Sequence, residues 1–289
     1  MNERSGSNLR AKLILLAGVF SCSMSSAFFR YMTAPSTIAA TYRLGWTVLL
    51  LTPLIFSKRE TRSELLSLKG KDLAFCGLSG LFLAMHFVVW FESLSNTSIA
   101  SSTVLVNTEV AFAAFGYLIF FGKKIRKKEI LAIGIAFLGS VVIAMADTGG
   151  GAGKNAVLGD ILALLAAFFS ACYTLIGTRE RSHMSTMVYT YVLYWGCFLS
   201  LLVFDAVSGV PMTGYEPINW IMSLCLAVFC TLLGHSVFSW SLKFLTPTYV
   251  STVKLAGPVF ASVSAILLFG EIPGLIQVAG AAVVLAGVY

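Results

Sequence analysis

Long apolar runs alternate with short polar breaks from one end of the chain to the other. Ten can be read, over residues 12–32, 36–56, 72–94, 99–121, 128–146, 157–178, 186–205, 218–243, 247–269 and 273–289. A helix rises about 1.5 Å per residue, so roughly 20 apolar residues cross the hydrocarbon core of a bilayer. None of the runs shows the apolar–polar alternation of a barrel strand, and lipid admits only helices or closed barrels. The fifth and tenth runs have almost no polar positions and so present no face to water. The pattern predicts an all-α membrane protein with ten transmembrane helices.

The pattern is also written twice. HFVVWFESLSNTSIASSTVLVNTE begins at His86 and HSVFSWSLKFLTPTYVSTVKLAGP begins at His235, 149 residues later. Trp90 and Trp240 are 150 apart, as are Ser101 and Ser251, and Phe121-Gly122 precedes Phe269-Gly270 by 148. The third and fourth runs therefore match the eighth and ninth. The repeating unit is five helices, with one copy in 1–146, another in 157–289, and the Gly-rich stretch DTGGGAGKNA over 147–156 as linker. Five is odd, so the second copy enters the membrane from the opposite side. Inverted repeats of this kind are a transporter architecture, with the substrate site near the midplane. Two copies of one fold in opposite orientations can exchange conformations. That exchange turns an outward-open cavity into an inward-open one, which is alternating access.

Composition agrees with the pattern. Mean hydropathy is +0.86 and 11% of residues are charged, against about 25% in ordinary soluble domains. The net charge of +7 matters less than its placement. Arg4, Arg10 and Lys12 precede the first run. Lys58, Arg59, Arg62, Lys69 and Lys71 lie around the second break, and Lys123, Lys124, Arg126, Lys127 and Lys128 around the fourth. Arg179 and Arg181 follow the sixth run and Lys243 ends the eighth, whereas the alternate breaks hold only Arg30 and Lys154. By the positive-inside rule the basic breaks and both termini face the cytoplasm. KKIRKK lies between two spans and reads as a topology signal rather than a nucleic-acid patch, so no nucleic-acid partner is expected. The six cysteines have no zinc or redox spacing and read as small packing residues. The first run is long and lacks a small-residue cleavage site, so it reads as a helix and not a signal peptide.

An ionisable group at the bilayer centre costs roughly 2.5–3.5 kcal/mol on insertion scales, so it faces the protein interior or a watery cavity. Glu109 lies about 15 Å below the outer end of the fourth helix and Lys254 about 10 Å from the inner end of the ninth. These helices are repeat mates, and the two side chains are expected to meet. They form either a permanent ion pair that pins two segments or a switchable pair that takes a zwitterionic substrate or trades a proton. His86 and His235 occupy equivalent repeat positions and read either as hydrogen-bonded packing residues or as groups that gate or carry protons. Arg43 and Glu92 both lie toward the outer side and are expected to pair, as a clamp or as part of an outer gate. Trp90, Trp240 and Tyr173 either line an aromatic cavity or anchor helix ends. Asn107 precedes Glu109 by two positions and points to another face. Gly134, Gly139, Gly280 and Gly287 permit close helix approach in the fifth and tenth runs. No metal site and no cofactor are expected.

At GDILALLAAFFSACYTLIGTR (159–179), GHSVFSWSLKFLTPTYVS (234–251), GPVFASVSAILLFGE (257–271) and GAAVVLAG (280–287) the chain resembles the drug/metabolite transporter superfamily, in its ten-helix form with paired EamA domains. The likeness spans essentially the whole chain. The first half departs from it: Val110 stands where the second half has Pro258, and Gly122-Lys123 where it has Gly270-Glu271. The resemblance implies a cavity lined by helices one, three, four, six, eight and nine, and peripheral or dimer-forming roles for five and ten. It implies a multi-pass protein of a prokaryotic cytoplasmic (inner) membrane, monomer or homodimer, that exports a small organic solute. Amino acids lead; amphiphilic or cationic drugs and nucleosides are the alternative. No GxxxxGK[ST] loop is present, so a solute gradient or proton coupling supplies the energy. An enzyme is not expected: GxSxG and HExxH are absent, and His86 and Glu92 are poorly aligned on one helix. Nor is a filter or charged ring of a channel visible.

Overall fold

The computed structural model describes residues 2–29, 31–97, 99–122, 125–146, 155–257, 259–261, 263, 267 and 274–288. All regular structure among them is helical. The helices are α1 (Asn2–Ser23), α2 (Ser25–Phe29), α3 (Ser36–Ser57), α4 (Arg59–Leu66), α5 (Gly70–Asn96), α6 (Ile99–Val106), α7 (Glu109–Phe121) and α8 (Lys127–Ala146). They continue with α9 (Ala156–Glu180), α10 (Thr186–Val207), α11 (Pro217–Cys225), a π-helix π1 (Leu226–His235), α12 (Ser236–Ser241), α13 (Pro247–Lys254) and α14 (Leu275–Val288).

Seven stretches among the described residues are long and apolar enough to cross a bilayer: Leu9–Phe29, Ser36–Ser57, Gly70–Asn96, Val104–Phe121, Ala156–Glu180, Thr186–Val207 and Pro217–Ser241. They coincide with the first four and the sixth to eighth expected runs. Helix α8 overlies the fifth run and α14 the tenth. The ninth begins as α13, and much of its remainder, with Pro258, Phe269, Gly270 and Glu271, lies outside the described residues. So does most of the expected linker, over 147–154. Large apolar side chains turn outward on many helices, including Leu131 and Leu138 on α8 and Ile276 on α14, each more than half exposed. Water would not tolerate such faces; lipid does. The protein is a multi-pass helical membrane protein.

Two compact units divide the residues. One joins Met1–Met85 to Tyr173–Leu245, the other His86–Cys172 to Thr246–Tyr289. Each unit draws on both halves of the chain, so the spatial unit and the sequence repeat are different divisions.

Close backbone contact organises both. In the first unit, a Cβ on Gly80 of α5 would lie 2.6 Å from the Cys197 nitrogen of α10. Likewise, Gly234 of π1 presses on Cβ of Cys22 on α1, where an added Cβ would come within 3.0 Å. In the second, α8 and α14 meet at Gly139, whose added Cβ would lie 2.5 Å from the Val284 nitrogen, and at Gly287 against Ala136. Small residues replace the missing hydrophobic drive for helix association in lipid. Gly134, expected to share in this contact, has open space around it.

Several spans are interrupted. The fourth breaks at Asn107-Thr108, where Ala111 N–H donates to Thr108 O at 2.9 Å in place of a full α-turn. The ninth breaks after Lys254, where the N–H groups of Leu255 and Ala256 donate three residues back, to Thr252 O (3.1 Å) and Val253 O (3.0 Å). Asn107 and Leu255 are 148 residues apart, the offset of the sequence repeat. In the eighth span the helix widens to π over ten residues, Leu226–His235.

Candidate substrate site

In the second unit a carboxylate sits where a helix restarts. Glu109 is the first residue of α7, directly after the break, and Lys254 is the last residue of α13. A helix N-terminus carries partial positive charge and a C-terminus partial negative charge. The acid and the base therefore each stand at the helix end that favours them. Lys254 Nζ donates to both carboxylate oxygens of Glu109, at 2.7 and 2.6 Å. Two serines complete the shell: Ser170 Oγ of α9 donates to Oε2 at 2.7 Å, and Ser251 Oγ of α13 donates to Oε1 at 3.0 Å. Glu109 is 8% exposed. Four hydrogen bonds on one carboxylate replace the solvation it has lost, which makes a buried charge tolerable.

His86, also in this unit, places Nδ1 2.9 Å from the Ala166 carbonyl of α9. A carbonyl only accepts, so Nδ1 carries the proton. The imidazole stacks on Trp90, centroid to centroid 6.1 Å. Trp90 Nε1 and Asn107 Nδ2 are buried donors with no hydrogen-bond partner among the described residues. Native interiors satisfy such groups by water or ligand.

The first unit holds a separate polar network. Arg43 of α3 is buried and its Nε donates to Thr231 Oγ1 at 2.6 Å. Tyr194 Oη lies 3.0 Å from Ser236 Oγ and 3.4 Å from the Thr231 carbonyl. The wide π turns carry Thr231 and, at their end, His235. His235 is buried, with Nδ1 3.4 Å from the Tyr173 hydroxyl. Trp240 of α12 is half-buried and packs on Phe244, ring centroids 4.9 Å apart. π segments inside α-helices recur at functional sites.

Glu109 and Lys254 are thus together, with two serines that sequence reasoning did not attach to them. Ser251 had been visible only as a repeat position and Ser170 only as a small residue in an apolar run. The matched histidines differ in surroundings: His86 faces a carbonyl, His235 a tyrosine. Arg43 and Glu92, expected as a pair, fall in different units. Glu92 is exposed and its Oε1 accepts from Asn96 Nδ2 at 3.0 Å. The Arg43–Thr231 contact and the π-helix went unforeseen, because a lone threonine in an apolar run carries no periodic signal.

Paired breaks, charged groups buried at helix ends and apolar outer faces are features of a carrier, and comparison with known proteins gives the decision. The pattern of the EamA-like transporter family matches residues 9–145 and again 157–289. The chain belongs to the EamA-like transporter family. An uncharacterized transporter of Clostridium kluyveri is 27% identical over 221 residues, 74% of this chain and 70% of its own length. A Salmonella typhimurium protein named "Probable amino-acid metabolite efflux pump" is 27% identical over 179 residues, 58% of this chain and 59% of its own. One solved crystal structure superposes with a TM-score of 0.77 at 16% identity, covering 96% of this chain and 95% of the other. That last likeness concerns the fold alone. This EamA-like chain is accordingly a transporter.

Proposed function

We propose that this transporter exports amino acids or closely similar zwitterionic metabolites across the cytoplasmic membrane of a prokaryote, by alternating access between two inverted five-helix repeats. Ten spans, with both termini in the cytoplasm, complete the reading. The carrying observation is the Glu109–Lys254 pair at 2.6 Å, held at two helix ends. A free amino acid has one ammonium and one carboxylate. Its ammonium can replace Lys254 on Glu109, and its carboxylate can take up the released Lys254. Buried Glu109 and half-buried Lys254 then both stay compensated throughout, which a substrate of single charge cannot achieve. Asn107 Nδ2 and Trp90 Nε1 are further donors for the carboxylate. The name of the Salmonella relative supports the same substrate class. Energy comes from the solute gradient or from a proton carried by Glu109 or a histidine.

Amphiphilic cations are the second reading. A cavity of about 300 Å³ in the first unit is lined by Tyr42, Trp46, Phe198 and Trp220 among others, a surface suited to flat apolar molecules.

Exchange in proteoliposomes tests the first reading. Vesicles are loaded with one unlabelled amino acid at a time, and entry of labelled partner is followed with and without a pH gradient. Saturable exchange for a subset of amino acids is expected. Silence across the amino-acid panel, together with exchange of a cationic drug, transfers the assignment to the second reading.

A further inference from the structure

Away from the transport residues, three metal-ligating groups from two distant segments converge at helix ends of the first unit. Asp72 lies in the first turn of α5, Glu180 is the last residue of α9, and His183 stands in the turn that follows. One ligand atom from each lies within 4.8 Å of the others. His183 Nε2 is 3.4 Å from Glu180 Oε2 and 3.6 Å from Asp72 Oδ1. We propose that Asp72, Glu180 and His183 form a binding site for a divalent cation of the zinc type.

Three observations carry this. The first is the state of Glu180. Its side chain is 0% exposed, and neither carboxylate oxygen accepts a hydrogen bond among the described residues. It also sits at the C-terminal, negative end of α9, where a second negative charge is disfavoured. The nearest cationic atom besides the histidine is Arg179 Nε at 3.6 Å, and that guanidinium lies over the Phe75 ring at 3.8 Å. A buried carboxylate in this position calls for a cation held directly on its oxygens.

The second is spacing. Contacts of 3.4 and 3.6 Å are long for hydrogen bonds, which cluster near 2.7–3.2 Å. A tetrahedral zinc ion with bonds of about 2.0–2.2 Å sets neighbouring ligand atoms about 3.3–3.6 Å apart. His183 Nε2 stands at that separation from one oxygen of each carboxylate, and the three ligand atoms lie within 4.8 Å of one another. Two carboxylates and a neutral imidazole also balance the two positive charges of the ion.

The third is preorganisation. Arg181 is buried; its Nε donates to the Ser239 carbonyl of α12 at 3.2 Å and its Nη1 donates to the Met184 carbonyl. These bonds hold the turn that carries His183. The side chain of His183 itself is 49% exposed, so an ion can enter from water and keep an open position for a water ligand. A bound ion would tie the start of α5 to the end of α9.

Full-length protein purified in detergent through a tag without histidines, and stripped with chelator, provides the test. Zn²⁺ is titrated by calorimetry, and Co²⁺ by its visible absorption as a geometric probe. We expect one Zn²⁺ per chain, a tetrahedral Co²⁺ spectrum, and a rise in melting temperature with Zn²⁺. His183→Gln, at a surface position, is expected to keep the metal-free melting temperature while binding falls by about tenfold or more. Asp72→Asn should act in the same direction. Absence of saturable binding in the wild type overturns the site. So does equal binding in His183→Gln, which would assign the ion to other groups. Neither readout depends on the substrate, so failure here leaves the transport assignment standing.

Discussion

At the scale of single residues, the chemistry concentrates on Glu109. Four hydrogen bonds converge on a carboxylate whose nearest charge is Lys254. Neutralising one partner strands the other at a largely buried site, where the Glu109 and Lys254 side chains are 10% and 20% exposed. Glu109→Gln and Lys254→Met are each expected to cost about 3–5 kcal/mol of stability and to abolish most exchange. Thermal unfolding in detergent and flux in proteoliposomes measure the two effects separately. The double variant should recover most of the stability and none of the flux. Full flux in the double variant would reduce the pair to a clamp. Sequence alone placed both residues in the membrane and facing inward, since a charge has no cheap position in lipid. It did not attach Ser170 or Ser251 to them, because those contacts depend on how helices far apart in the chain are turned about their axes.

Among the elements, α8 and α14 show how little space decides a contact. Gly139 touches backbone of the opposite helix, which cannot move aside as a flexible side chain can. Gly139→Leu is expected to destabilise by about 1–3 kcal/mol through overpacking, read as a lower melting temperature in detergent. Gly134, five residues earlier, meets nothing within 4 Å. Gly134→Ala should be neutral or stabilising by up to about 1 kcal/mol, through helix propensity alone. Both glycines look alike in the sequence, and only one is at the seam. The breaks at Asn107-Thr108 and after Lys254 follow the same logic. VSTVKLAGP carries Gly257-Pro258, and a proline has no N–H to bond four residues back to the Lys254 carbonyl, so that interruption is legible in the sequence. VLVNTEVAF offers only the weak helix formers Asn107 and Thr108, yet it breaks at the same repeat position. The interruption puts Glu109 at a helix N-terminus and Lys254 at a helix C-terminus, and so gives each charge a favourable dipole.

For the whole molecule, the charge pattern makes a topological prediction. In a variant without native cysteines, a cysteine placed at Thr213, an exposed position between α10 and α11, should react with an impermeant maleimide in intact cells. One placed at Ser67, exposed between α4 and α5, should react only after permeabilisation. Labelling of Ser67→Cys in intact cells would reverse the orientation, and an export assignment would have to be argued afresh.

The sequence by itself determined that this is a helical membrane protein written as two copies of one plan, and that Glu109 and Lys254 lie inside it. Those conclusions rest on local quantities: the length of an apolar run, the cost of a charge in hydrocarbon, the period of a repeat. Tertiary structure alone decided which serines hold Glu109, that the eighth span widens to π, and that Asp72 reaches Glu180 across 108 residues of chain. Each of these is a matter of ångström distances between segments whose separation in sequence carries no information about their separation in space.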